Sequence, residues 1–180
     1  MQENKTSLIN ECNFGGVSPA IVQLPYPPIQ VKEKNRSYAD LLSIDHSGSV
    51  SEVSAITQYI SNQNYLSQSQ CTVAKTILSI AIAEMMHLQK LGELMLLLGG
   101  EVDFTAQYRG GKRKMWTPAY LTLSQNLREM MLAGIESERA AINQYRMHIQ
   151  MIQDSYVNAV LHRIIKDEEY HIVLLQALTQ

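Results

Sequence analysis

Glu84 and His87 stand three residues apart in AEMMHLQKLGELM (83–95), inside a run of Ile, Leu, Met and Ala. Glu168 and His171 repeat the arrangement in KDEEYH (166–171). On a helix, residues i and i+3 lie about 60° apart on one face. Each Glu-x-x-His pair can therefore direct a carboxylate and an imidazole at one metal ion. A carboxylate in so apolar a segment is costly unless a partner neutralises it, and a cation is one such partner.

Two further carboxylates complete the pattern. Glu52 lies among Val53, Ile56 and Tyr59, and the later stretch offers Glu129, Glu136 and Glu138. Glu52 and Glu84 are 32 residues apart, as are Glu136 and Glu168, so equal spacing selects Glu136. Glu129 shares its face two turns earlier, whereas Glu138 is rotated by about 200°. The expected ligands are Glu52, Glu84, His87, Glu136, Glu168 and His171. Four carboxylates and two neutral imidazoles carry about −4, which two divalent cations would cancel. Carboxylates and imidazoles suit both iron and manganese, so the expected cofactor is a pair of Fe or a pair of Mn ions.

The elements that must position these groups are helical. Apolar residues recur at spacings of three and four over 37–66, with Gly48 as an interruption, and again over 120–151 and 155–178. The segment 70–98 is apolar around most of its circumference, as a central helix should be, and Gly99-Gly100 ends it. Residues 101–118 read as a connection over the bundle, and no strand is expected. Residues 1–36, with Gly15-Gly16 and LPYPPIQV (24–31), form an irregular, partly extended arm. The expected architecture is an all-α four-helix bundle over 37–180 preceded by this arm.

Over 37–178 the chain resembles the ferritin-like superfamily, whose bundles hold paired metals with one Glu from each of two helices and Glu-x-x-His from each of the others. SEVSAITQYISNQ (51–63) looks like the first ligand helix. IAEMMHLQKLGELMLLLGG (82–100) and KDEEYHIVLLQAL (166–178) look like the second and fourth. Rubrerythrin-like and manganese-catalase-like bacterial proteins are the nearest in kind. The resemblance implies that Tyr59, seven residues after Glu52, approaches the metals. It implies that Asp167 hydrogen-bonds His87; Ala83 leaves the mirrored position empty. It gives Glu168 either of two parts, ligand or outer-sphere proton relay, so Tyr59 and Glu168 are the candidate catalytic residues. Arg139 stands where rubrerythrins carry an extra Glu. The cysteine-ligated iron domain of rubrerythrins has no counterpart in these 180 residues.

Composition narrows the function. A net charge of −2 gives no general attraction to nucleic acid or an anionic membrane, and the basic group Arg109, Lys112, Arg113 and Lys114 reads as a solvated loop. Cys12 and Cys71 form no CxxC pair, and no disulfide framework is expected. The polar start and the charges inside each apolar run predict neither a signal peptide nor a membrane span. Cytoplasm is the expected location and a homodimer or larger homo-oligomer the expected state. His46, His148 and His162 are assigned to surface or secondary roles, and Tyr145, Tyr156 and Tyr170 to packing. The leading expectation is an oxidoreductase acting on hydrogen peroxide or dioxygen, with an external electron donor for peroxidase chemistry. The alternatives are an iron-storage cage subunit, or a coat or compartment cargo protein stabilised by its metals.

Overall fold

The computed structural model describes residues 12–179. Five helices carry the fold: α1 (Arg36–Ser47), α2 (Glu52–Leu66), α3 (Cys71–Leu97), α4 (Leu127–Met151) and α5 (Ser155–Ala177). A hairpin of β1 (Thr105–Tyr108) and β2 (Lys112–Met115) lies between α3 and α4. α2 packs along α3 and α4 along α5, each pair turned back by a short link. α1 lies against α3 and β1 at one end.

The helix expected over 37–66 is two helices. A Cβ at Gly48 would stand 2.6 Å from the Ile44 carbonyl oxygen, so glycine lets the chain close α1 there without displacing that carbonyl. Ser51 then starts α2 as its N-cap, accepting from the Ser54 amide, while its hydroxyl donates to the Gly48 carbonyl. The break puts Glu52 in the first turn of α2, where the positive end of the helix dipole favours a carboxylate. The helix expected from 120 begins at 127, because Asn126 caps it by accepting from the Glu129 amide. α3 ends as expected: the Gly100 amide reaches the Met95 carbonyl and the Gly99 amide that of Leu96.

The hairpin corrects the expectation of no strands. Thr105 pairs with Met115 and Tyr108 with Lys112 around Arg109-Gly110-Gly111. Both glycines take positive φ, 78° and 76°, the backbone that a tight strand reversal needs.

Buried apolar residues form two clusters. One gathers Leu42, Leu91, Leu94, Ile142, Val160 and Leu161 among others; the second gathers Tyr59, Ile77, Ile80, Met131, Ile135 and Leu175. The Glu-x-x-His residues lie between them along α3 and α5. α3 is long and apolar enough to cross a membrane, but its Glu84 and His87 are fully buried within the bundle.

The arm from Cys12 to Asn35 runs over the bundle. Ala20 donates its amide to the Ser79 carbonyl, Lys32 to Asp154 and Asn35 to the Leu98 carbonyl. Cys12 and Cys71 are joined in a disulfide, which corrects the reading of two unpaired cysteines. Their spacing carries no signal because the pairing depends on where the arm docks. Residues 1–11 of the expected arm lie outside the described residues.

Gly48→Ala should destabilise the protein by about 1–3 kcal/mol through overpacking, read as a lower denaturation midpoint. Ser49→Ala, at an exposed neighbour, should leave the midpoint unchanged.

Candidate metal centre

Between the two apolar clusters, α2, α3, α4 and α5 each turn carboxylates inward. Glu52, Glu84, Glu138, Glu168, His87 and His171 are all buried. Two overlapping sets of ligand atoms result, Glu52–Glu84–His87–Glu168 and Glu84–Glu138–Glu168–His171, each with its atoms within 4.8 Å of one another. Glu84 and Glu168 belong to both.

The geometry has a two-fold pattern. His87 Nδ1 lies 2.8 Å from Glu84 Oε2, 3.3 Å from Glu168 Oε1 and 3.6 Å from Glu52 Oε2. His171 Nδ1 lies 2.9 Å from Glu168 Oε2, 3.1 Å from Glu84 Oε1 and 3.7 Å from Glu138 Oε1. Tyr59 donates its hydroxyl to Glu138, and Tyr145 donates to Glu52. Each tyrosine follows one glutamate by seven residues and serves the other.

The outward ring nitrogens fix the tautomers. His87 Nε2 donates to Asp167 Oδ2 at 3.2 Å, and His171 Nε2 donates to the Ala20 carbonyl at 2.9 Å. Both partners are acceptors, so a neutral imidazole keeps its proton on Nε2 and turns the Nδ1 lone pair inward. Among the described residues, two lone pairs and four carboxylates then converge with only two tyrosine hydroxyls as donors, and Glu84 Oε1 has no hydrogen-bond partner. Such a set of acceptors needs cations or protons. The donors fit two divalent ions with mixed oxygen and nitrogen ligands.

Without a cation the cluster must hold protons. Burial and the neighbouring Glu168 carboxylate push Glu84 well above the ordinary carboxyl range. Burial, again with Glu168, raises Glu138 to about 7. Burial alone would lower both imidazoles, but the surrounding carboxylates outweigh it and hold His87 and His171 well above their usual value. Burial would raise Glu168, yet the two histidines draw it down to about 2.

Of the residues expected from the sequence, the structure brings together Glu52, Glu84, His87, Glu168 and His171, and sets Tyr59 and Asp167 beside them. Glu136 is not among them. Its side chain is 71% exposed and paired with Arg139 at 2.7 Å, whereas that of Glu138 is 3% exposed. Equal spacing misled because the link between α4 and α5 is one residue shorter than that between α2 and α3, and α4 also runs one residue less beyond its glutamate than α2 does. Two signals name Glu138: Met131, Ile135, Glu138, Ile142 and Tyr145 form one inward row at spacings of four and three, and Glu138–Tyr145 repeats Glu52–Tyr59.

Three assignments change with it. Tyr145 contacts the site and is more than packing. His46 and His148 are buried, while His162 is exposed. His46 hydrogen-bonds Ser47, and burial lowers it to about 4. His148 Nδ1 donates to Asp45 Oδ2 at 2.7 Å, and Gln144 donates to Asp45 Oδ1. Asp45, Gln144 and the exposed Ser137 line a narrow cavity that reaches Glu52, Glu138 and Glu168, with about 10 Å³ open to the centre of a water-sized molecule. That is room for about one water.

Residues 47–179 match the family model described as Rubrerythrin. No curated protein sequence matches. Among solved structures, a manganese catalase from Anabaena PCC7120 is 21% identical over 86% of this chain and 76% of its own, with a TM-score of 0.77. A bacterioferritin from Rhodobacter capsulatus is 21% identical over 81% and 84%, at 0.66, and Mycobacterium tuberculosis bacterioferritin is 24% identical over 81% and 85%, at 0.65. These likenesses establish a ferritin-like helical bundle.

Glu138→Gln should reduce the metal content from about two ions per chain to about one by elemental analysis, and Glu136→Gln should leave it unchanged. Because Glu84, Glu138 and both imidazoles hold protons when no cation does, metal uptake should release protons. Apparent affinity should weaken as the pH falls through and below about 7, the value of Glu138, by calorimetry in buffers of different ionisation enthalpy.

Proposed function

We propose that this chain, which belongs to the rubrerythrin family, holds two iron or two manganese ions and acts as an oxidoreductase on hydrogen peroxide or dioxygen. The observation that carries the reading is the pair of overlapping ligand sets sharing Glu84 and Glu168. Two redox-active ions, when bound there, would supply two-electron exchange with an oxygen species.

The protein's own residues set the terms of that chemistry. Glu52, Glu84 and His87, with Glu168, would hold one ion, and Glu138 and His171, with Glu84 and Glu168, the other. Membership of both sets supports Glu168 as a shared ligand over an outer-sphere relay. Tyr59 and Tyr145 keep their protons, since burial and the facing glutamates raise both phenols well above their usual value. Each therefore orients a glutamate by donating its one proton to it, and Tyr59 could donate to an oxygen species beside Glu138 only by turning that proton away from the carboxylate. The narrow cavity at Ser137 and Gln144, with room for about one water, favours dioxygen or hydrogen peroxide over an organic substrate. The chain would work as a homo-oligomer, and peroxidase chemistry would draw on an external donor.

The test is an oxygen electrode with protein shown to carry about two ions per chain. Manganese- or iron-loaded protein should evolve oxygen from hydrogen peroxide unaided, or consume peroxide or dioxygen when a donor is added. Tyr59→Phe should slow turnover by about 10²-fold with metal content retained. Loaded protein that consumes neither oxidant contradicts the oxidoreductase reading, and uptake of iron far beyond the paired site would point to storage.

A further inference from the structure

The supports of both histidines lead to the N-terminal arm. The Ala20 carbonyl accepts directly from His171. Asp167, which accepts from His87, is itself held by the arm: Val22 donates its amide to Oδ1 at 2.8 Å, and the Tyr26 hydroxyl donates to Oδ2. Arg163 ties the same stretch from the other side. It pairs with Asp167 at 2.6 Å, donates to the Val22 and Leu24 carbonyls at 2.9 and 3.0 Å, and lies 4.2 Å from the centre of the Tyr26 ring. Residues 20–26 thus fix the orientation of imidazoles whose inner nitrogens form the cluster.

The two ends of the arm are secured differently. Toward its C-terminal end, Lys32 and Asn35 are bonded to Asp154 and the Leu98 carbonyl. Toward its N-terminal end, the hydrogen bonds of residues 13–19 are all local among the described residues. Phe14 packs against the second apolar cluster, and the disulfide between Cys12 and Cys71, the first residue of α3, is the covalent tie at this end. Cys71 is half-buried and Cys12 buried, so Cys71 is the more exposed half of the bridge.

We propose that the Cys12–Cys71 disulfide is a redox-operated latch that holds residues 20–26 against the two histidines; this rests on the metal reading above. A dithiol reductant opens it. One thiolate attacks a cysteine sulfur, forming a mixed disulfide and releasing the other cysteine as a thiol; the second thiol then displaces the remaining cysteine. Two electrons and two protons pass to the protein, leaving two cysteine thiols and the reductant's own disulfide. With the latch open, the arm frays from its N-terminal end. The Ala20 carbonyl and the Val22 amide then leave His171 and Asp167, and metal is held less firmly. Hydrogen peroxide, one of the proposed substrates, closes the latch: one thiolate takes an oxygen from it as a sulfenic acid and releases water, and the other thiol displaces that oxygen as a second water, so two electrons and two protons leave the cysteines as the disulfide re-forms.

The experiment compares the full chain, loaded with manganese, with its disulfide intact and after reduction by dithiothreitol followed by removal of the reductant under anaerobic conditions. Metal loss to excess EDTA should accelerate about tenfold on reduction, the scale seen when a histidine ligand loses its outer partner. Hydrogen exchange at the Val22 amide should accelerate with it, in protein stripped of metal as well. Cys71→Ser should behave as the reduced chain whether or not reductant is added. Unchanged metal loss in protein whose free thiols are verified by mass overturns the proposal, as does unchanged Val22 exchange. A chain that takes up no metal in either state overturns the metal reading instead; faster Val22 exchange on reduction would then still support the latch on the arm.

Discussion

Four carboxyl groups meet at the centre of a helical bundle, and removing ions from water costs several kcal/mol each unless opposite charge accompanies them. The rest of the structure is arranged around that constraint. Two apolar clusters close the layer from either end, so no broad solvent path relieves the charge. Tyr59 and Tyr145 donate to Glu138 and Glu52, and the imidazoles turn their inner nitrogens toward the same space. What remains unmet is positive charge in two adjoining places. In its absence the carboxyls and imidazoles take up protons, which accounts for the raised Glu84 and Glu138 carboxyls and for the histidines' hold on Glu168.

The supports around this layer are unequal, although the layer itself has a two-fold pattern. Asp167 serves His87 from α5, but its counterpart on α3 is Ala83, fully buried and without a donor or acceptor side chain. The arm fills that gap with a main-chain carbonyl at Ala20 and then returns to hold Asp167 through Val22 and Tyr26. Asp167 is buried, which would raise its carboxyl, but hydrogen bonds from His87, Arg163, Tyr26 and Val22 hold it well below the usual range. It stays an acceptor, and His87 keeps its proton on the outer nitrogen.

Much of this was legible in the sequence because a helix converts spacing into direction. Glu-x-x-His at 84–87 and 168–171 places two ligands on one face whatever the tertiary context, and the helical periodicity around them fixed the class of fold. Glu138 was missed where spacing between helices replaced direction within one. The interval from one helix to the next depends on link length, whereas the inward row 131–135–138–142–145 depends only on helical geometry. The break at Gly48 turned on a backbone contact with Ile44, the hairpin on two left-handed glycines, and the disulfide and the Ala20 carbonyl on where an extended arm comes to rest. None of these has a period. Main-chain groups carry no side-chain signal at all, so the partner of His171 could be found only in the fold.

The buried layer offers two adjoining cation sites with Glu84 and Glu168 in common. Anomalous diffraction from crystals of the manganese- or iron-loaded protein, recorded at the edge of the loaded metal, tests it most directly. Two peaks are expected, one among Glu52, Glu84, His87 and Glu168 and the other among Glu84, Glu138, Glu168 and His171. A single peak, or an empty layer in which the imidazoles hydrogen-bond to the carboxylates through retained protons, would contradict it.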